Sequence, residues 1–294
     1  MLFIVHSLNA LLMIVLPLLL GLFLWKKLGA KWSLFGIGAV TFIASQVVHI
    51  PLLQQLTALF ANKTLPAPPA AWQLTFNAVV LGLAAGLCEE LARYLVYRFW
   101  IRSARTWREA LMFGAGHGGI EAILLGGYAG LVFLNMAALQ NTPPASLPVS
   151  AAQQSLLAAQ IAAYWSTPWY LALLGAVERV FALCIHLSSS VLVLQAFTRK
   201  NILWLAAAIV WHALVDGVSV FAVSTVGPYQ TEAIIGLLAL VGVVIILALR
   251  PRQPEAAPEP APSVVLAGAP PSPRTADKAQ ADVQQQVDQS KYTN

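Results

Sequence analysis

The sequence predicts an all-α protein: a polytopic membrane helix bundle of seven transmembrane helices, with the N-terminus outside and the C-terminus cytoplasmic. Three observations carry that expectation. Of 294 residues, 59% are hydrophobic and only 10% charged, with mean hydropathy +0.72; an ordinary soluble domain carries about 25% charged residues. Five of the 12 acids and five of the 17 bases fall in the last 45 residues, so the preceding 249 are nearly uncharged and hold apolar runs of bilayer-spanning length. The bases of that region also cluster at alternate ends of the runs, which sets an orientation.

The runs lie at about 2–25, 32–60, 73–101, 109–135, 169–197, 202–224 and 232–249. The first reads as a span and not as a cleaved signal, because Lys26, Lys27 and Lys31 follow it and no basic residue precedes it. Arg102, Arg105 and Arg108 follow the third run, Arg199 and Lys200 the fifth, and Arg250 and Arg252 the seventh. The other connections hold Lys63 alone, so the positive-inside rule places the basic ends in the cytoplasm. Residues 61–72 carry Pro66, Pro68 and Pro69; residues 141–168 carry Pro143, Pro144, Pro148 and Pro168, beside Trp165 and Trp169 at headgroup level. Within the second of these outer loops, 150–163 reads as a short amphipathic surface helix. Residues 1–250 form one bundle with its polar motifs confined to 73–224. Beyond Arg250 the eight prolines and many Ala and Gln read as a disordered cytoplasmic tail, 251–294. Net charge +5 and a pI near 9.4 do not point to nucleic acid, since the bases sit at segment ends. The expected surroundings are a lipid bilayer, in a bacterial plasma membrane. Nothing in the sequence sets an oligomeric state. Cys88 and Cys184 lie in apolar runs without CxxC spacing and imply no disulfide.

Inside the spans sit Glu89, Glu90, Arg93, Glu121, Glu178, Arg179 and Asp216, with His117, His186 and His212. At about 2.5–3.5 kcal/mol per charged group, seven would cost on the order of 20 kcal/mol if unpaired. Such groups persist where they face one another, a cavity or an ion; a purely structural polar network is one alternative. Their depth narrows the choice. Glu90 is 11 residues from the end of its span, His117 eight from Glu109, His186 11 from Phe197 and His212 ten from Ile202. With a rise of 1.5 Å per residue, all four lie roughly 12–17 Å inside the cytoplasmic face. They come from four helices of alternating direction, and three imidazoles with a carboxylate pair at one level compose a catalytic or metal site.

Spacing adds detail. Arg93 is i+4 from Glu89 and i+3 from Glu90, so it can neutralise either. His117–Glu121 and His212–Asp216 are both i,i+4, placing acids that can orient an imidazole directly or across helices. Glu178 is expected either to support the site or simply to pair with Arg179. Gly114, Gly116, Gly118 and Gly119 surround His117, each costing about 1 kcal/mol relative to Ala in a helix. They imply close helix contact or a backbone opened along a cavity. His6 reads as interfacial. His49, with Gln46 and Pro51, reads as serving a kink. Ser188, Ser189 and Ser190 read as interhelical hydrogen-bonding groups.

No HExxH, GxGD or GxSxG pattern is present. Glu89-Glu90-Leu91-Ala92-Arg93, Phe113 with His117, His186, and His212 with Asp216 remain, in that order along the third to sixth spans. On these residues the chain resembles the CAAX-protease and bacteriocin-processing superfamily of membrane endopeptidases, whose commoner first motif is EExxxR. The runs GAGHGGIEAILLGG, ERVFALCIH and WHALVDG look most like its YhfC-type branch of intramembrane metalloproteases, with kinship to PrsW-type proteases. The resemblance covers about 73–224. It implies hydrolysis of a peptide bond within or near the membrane, in a membrane protein or lipidated peptide substrate.

The reaction needs activated water, a proton donor to the leaving amine and support for an oxyanion. Glu89 or Glu90 is the expected general base, held by Arg93, with His117, His186 and His212 the expected ligands of a Zn²⁺. In a metal-free version Glu90 and His117 activate water, while His212 and Asp216 support the oxyanion. Glu121, Glu178 and Asp216 support the site in either case, and the substrate enters a cavity facing the cytoplasm. A proton- or ion-coupled transporter would also keep membrane acids and histidines, though spread along a path to both faces. A non-catalytic membrane scaffold of the same fold is the third reading.

Overall fold

The computed structural model describes residues 1–143 and 146–251. Pro144 and the expected tail beyond residue 251 lie outside the described residues. The described residues form eight α-helices: α1 Leu2–Leu28, α2 Trp32–Ala61, α3 Gln73–Phe99, α4 Trp107–Leu139, α5 Ala151–Ser166, α6 Leu174–Thr198, α7 Leu203–Thr225 and α8 Pro228–Ala248. No strand occurs among the described residues. All except α5 are long and apolar enough to cross a membrane, so the seven spans expected from hydropathy are the seven long helices.

Local sequence sets the boundaries. Gly29, at φ 67°, ends α1 in the left-handed conformation that glycine adopts without strain. Thr106 and Glu109 form a reciprocal capping box that starts α4. Ser150 and Gln153 do the same for α5, the short helix expected on the outer surface, which buries no residue. Its Tyr164 stacks on His6 at 4.1 Å between ring centroids, and Trp165 Nε1 donates to the Met136 carbonyl at 3.2 Å. Pro228 stands in the first turn of α8, where a missing N–H costs nothing.

Helix α6 is central. Its residues Ile185–Ala196 are all buried, and it packs on α4, α7, α8, α1 and α3. Around it α3 packs chiefly on α7, while α4 packs on α1 and α2. The basic end is closed by an apolar core that includes Leu34, Phe35, Tyr97, Phe113, Leu194 and Trp211. Arg105 seals it: the guanidinium donates to the Tyr97, Ile101 and Ala104 carbonyls and lies 4.6 Å from the Phe197 ring centroid.

The glycines around His117 serve close packing, and α4 remains helical through all of them. A Cβ on Gly116 would sit 1.9 Å from the Phe35 carbonyl oxygen, and one on Gly118 would sit 2.5 Å from the His186 ring. Gly116→Ala is therefore expected to destabilise the bundle by at least the 1–3 kcal/mol typical of overpacking. Gly127 has nothing within 4 Å, so Gly127→Ala should be neutral or stabilising by up to about 1 kcal/mol. Denaturation of both variants in detergent, beside the parent, checks the contrast.

Candidate metal centre

The helices deliver the charged residues to one point. Glu89, Glu90 and Arg93 come from α3, His117 from α4, His186 from α6 and His212 from α7, and all six are buried. Ring centroids of His117 and His186 are 5.3 Å apart, and those of His186 and His212 are 5.5 Å apart. The common depth read from four separate helices is thus a real convergence.

Glu89 stands at the middle. Its Oε2 lies 3.0 Å from His117 Nε2, 3.8 Å from His212 Nε2, 3.9 Å from Arg93 Nη2 and 4.0 Å from His186 Nδ1. Glu89, His186 and His212 offer three ligand atoms within 4.8 Å of one another. The edge of a tetrahedron with bonds near 2.1 Å is about 3.4 Å, so modest side-chain adjustment lets these atoms share one ion.

Hydrogen bonding sets the tautomers that a metal ligand requires. A carboxylate can only accept, so the nitrogen facing it must carry the proton. His186 Nε2 donates to Glu121 Oε2 at 2.6 Å, which leaves Nδ1 as the lone-pair nitrogen, where it accepts from Arg93 Nη2 at 2.7 Å. His212 Nδ1 donates to Glu90 Oε1 at 2.6 Å, and its Nε2 turns inward, 3.5 Å from Asp216 Oδ2 and 3.8 Å from Glu89 Oε2. Both imidazoles thus place one N–H on an outer carboxylate and turn the other nitrogen inward, an arrangement that would orient histidine on a metal once Arg93 turns aside from His186 Nδ1 and His212 Nε2 is unprotonated. The residues present fit a divalent cation with nitrogen and oxygen ligands.

His117 has a different place. Its Nε2 faces the Glu89 carboxylate and so donates to it, while the ring meets Phe42 edge-on at 5.3 Å. The expected metal set was His117, His186 and His212; the geometry keeps the last two, puts Glu89 third and stands His117 behind it. Glu90 is fully buried, and its Oε1 accepts from both Arg93 Nη1 and His212 Nδ1. Glu121 reaches across to His186 on α6 and not to His117 on its own helix. Arg179 donates to Glu121 Oε1 and Glu178 Oε1, each at 2.5 Å, so Glu178 does pair with its neighbour.

A cavity of about 300 Å³ adjoins the site, lined by His186, His212, Asp216, Glu121 and Glu178 among apolar residues including Leu81, Ala85 and Ile235. The cavity lies on the side of the histidines away from the basic end. Each helix contributes residues on the side of the histidines away from the basic end, because the basic side is filled by the apolar core. At its edge the side chains of Glu178 and Asp216 are 42% and 39% exposed.

Sequence reasoning passed over Gln46 of α2, whose Nε2 donates to Glu89 Oε1 at 3.2 Å. The available signal was an amide inside an apolar span with His49 three residues on, which was ascribed to the kink at Pro51. It likewise did not separate Glu89 from Glu90, since adjacent residues on a helix differ by 100° in direction and only packing says which points inward.

Fold and site together define a class: a multi-pass helical membrane protein with a buried carboxylate–histidine cluster fit to hold a metal ion. The chain belongs to the family described as YhfC intramembrane metalloprotease, whose model it matches over residues 12–250. It is 35% identical over 200 residues to a Bacillus subtilis (strain 168) protein called "Uncharacterized membrane protein YhfC", which covers 66% of this chain and 76% of that protein. No solved structure matches it significantly.

Proposed function

We propose that this protein is an intramembrane endopeptidase that hydrolyses a peptide bond in a membrane protein or lipidated peptide, with Zn²⁺ held by Glu89, His186 and His212. The observation that carries the reading is the pair of imidazoles whose outer N–H groups are bound by Glu121 and Glu90. Buried histidines kept only for structure have no need of inward nitrogens converging beside the Glu89 carboxylate. When bound, the ion supplies a Lewis acid for the peptide carbonyl and lowers the pKa of a coordinated water.

The chain's own groups divide the remaining work. Asp216, partly exposed at the cavity edge and adjacent to His212, accepts the proton of the attacking water and returns it to the leaving amine. His117 fixes the Glu89 carboxylate, and Arg93 offsets the charge of Glu89 and Glu90. Glu89, Glu90, Glu121, Glu178 and Asp216 against Arg93 and Arg179 leave three formal negative charges, which a divalent cation would reduce to one. A metal-free reading draws on one contact, His117 Nε2 to Glu89 Oε2 at 3.0 Å, a pair able to activate water directly.

Elemental analysis of purified protein, with cleavage of a single-span reporter in proteoliposomes, tests the proposal. Wild type is expected to retain about one zinc per chain and to cleave. The His186→Ala/His212→Ala double variant should do neither. Cleavage that survives with no metal bound selects the metal-free mechanism. Wild-type protein that neither binds zinc nor cleaves any single-span reporter overturns the proposal.

A further inference from the structure

Helix α2 brings two polar side chains to the site that the reaction above does not use. Gln46 Nε2 donates to Glu89 Oε1 at 3.2 Å and to Ser45 Oγ at 3.3 Å. Because a carboxylate only accepts, the amide must turn its NH2 toward Glu89. Its carbonyl oxygen, an acceptor alone, then faces His49 Nδ1 at 3.2 Å, and that nitrogen must carry the ring proton. In a neutral imidazole the other nitrogen is then bare. His49 Nε2 is buried with no partner, on a residue that lines the cavity beside His212 and Asp216.

The chain from Glu89 through Gln46 to His49 therefore holds a neutral hydrogen-bond acceptor at the cavity wall. The other acceptors there are carboxylates: Glu121 accepts from His186 and Arg179, Glu178 accepts from Arg179, and Asp216 beside His212 is the group assigned to proton transfer, so His49 supplies the neutral acceptor. A polypeptide segment opened at membrane depth exposes backbone N–H donors with no bulk water to satisfy them. We propose that Gln46 locks His49 in the Nδ1–H tautomer so that Nε2 accepts a hydrogen bond from a backbone N–H of the segment bound in the cavity. His49 is in this view a substrate-binding residue and Gln46 a positioning residue. The assignment rests on the peptidase reading and adds the group that captures the opened strand. A histidine kept only for the Pro51 kink would need neither a fixed tautomer nor a place on the cavity wall.

Two measurements test it. In ¹⁵N-histidine-labelled protein in nanodiscs, with His49→Phe supplying the assignment, His49 is expected to show a protonated Nδ1 and a bare Nε2. Gln46→Leu should remove that preference. An Nε2–H tautomer in wild type, or one unchanged by Gln46→Leu, overturns the lock. For binding, the probe is a synthetic Lys-flanked single-span Leu/Ala peptide with a central Gly-Pro break, titrated into the same nanodiscs. His49→Phe should weaken its Kd roughly three- to tenfold, the range of one net hydrogen bond. His49→Gln, which restores an acceptor oxygen, should recover part of the loss, and zinc content should not change in either variant. An unchanged Kd in His49→Phe, or failure of wild type to bind the peptide, overturns the proposal. Binding that depends on His49 in a protein that never cleaves would sustain the acceptor role and refute hydrolysis alone.

Discussion

Arg93→Met is expected to destabilise the bundle by about 3–5 kcal/mol, the range for removing one partner of a buried ion pair. Arg93 has no exposed surface, ion-pairs with Glu90, lies 3.9 Å from Glu89 Oε2 and donates to His186 Nδ1. Methionine fills similar volume, so cavity formation contributes little and the cost is electrostatic: two carboxylates lose their countercharge in a low-dielectric interior. The double variant Arg93→Met/Glu90→Gln should regain part of the loss, because one of those carboxylates is then neutral. Unfolding titrations of the three proteins in the same detergent read this directly. A double variant no more stable than the single one would show that Arg93 acts by shape and not by charge.

Glu89→Gln is expected to separate chemistry from stability. The change keeps volume and removes the one carboxylate oxygen that faces His117, His186, His212 and Arg93 together. Zinc retention should fall below stoichiometry, and reporter cleavage should fall with it by more than the roughly 10–100-fold typical of outer-shell changes. Stability should hold or rise, since a buried negative charge is removed beside another acid. Glu121→Gln provides the graded comparison. It leaves an oxygen for the His186 N–H, and outer-shell changes of this kind cost about 10–100-fold in metal affinity or activity. If Glu89→Gln kept its zinc while Glu121→Gln lost it, the ligand assignment would have to move away from Glu89.

The position of the cavity bears on how a substrate reaches such a site. The basic end is packed with aromatic and aliphatic side chains under Arg105, so entry from that end would require disassembly of the core. The acids at the cavity edge instead lie toward the end bearing the 61–72 and 140–170 connections.

Composition and charge order alone determined much of this protein. Seven apolar runs of adequate length must become helices in lipid, because only internal backbone hydrogen bonding satisfies N–H and C=O groups there. Counting residues from the charged ends put Glu90, His117, His186 and His212 at one depth, since helical rise is constant. Only the tertiary structure decided which atoms meet. Rotation of each helix about its axis is set by packing such as Gly116 on Phe35 and Gly118 on His186, and a rotation of one residue exchanges Glu89 for Glu90 as the inward acid. It also decided that Glu121 serves His186 on another helix, that α2 contributes Gln46 and His49, and that the cavity lies away from the basic end. Those facts depend on pairings between residues distant in sequence, which no periodicity within a single helix encodes.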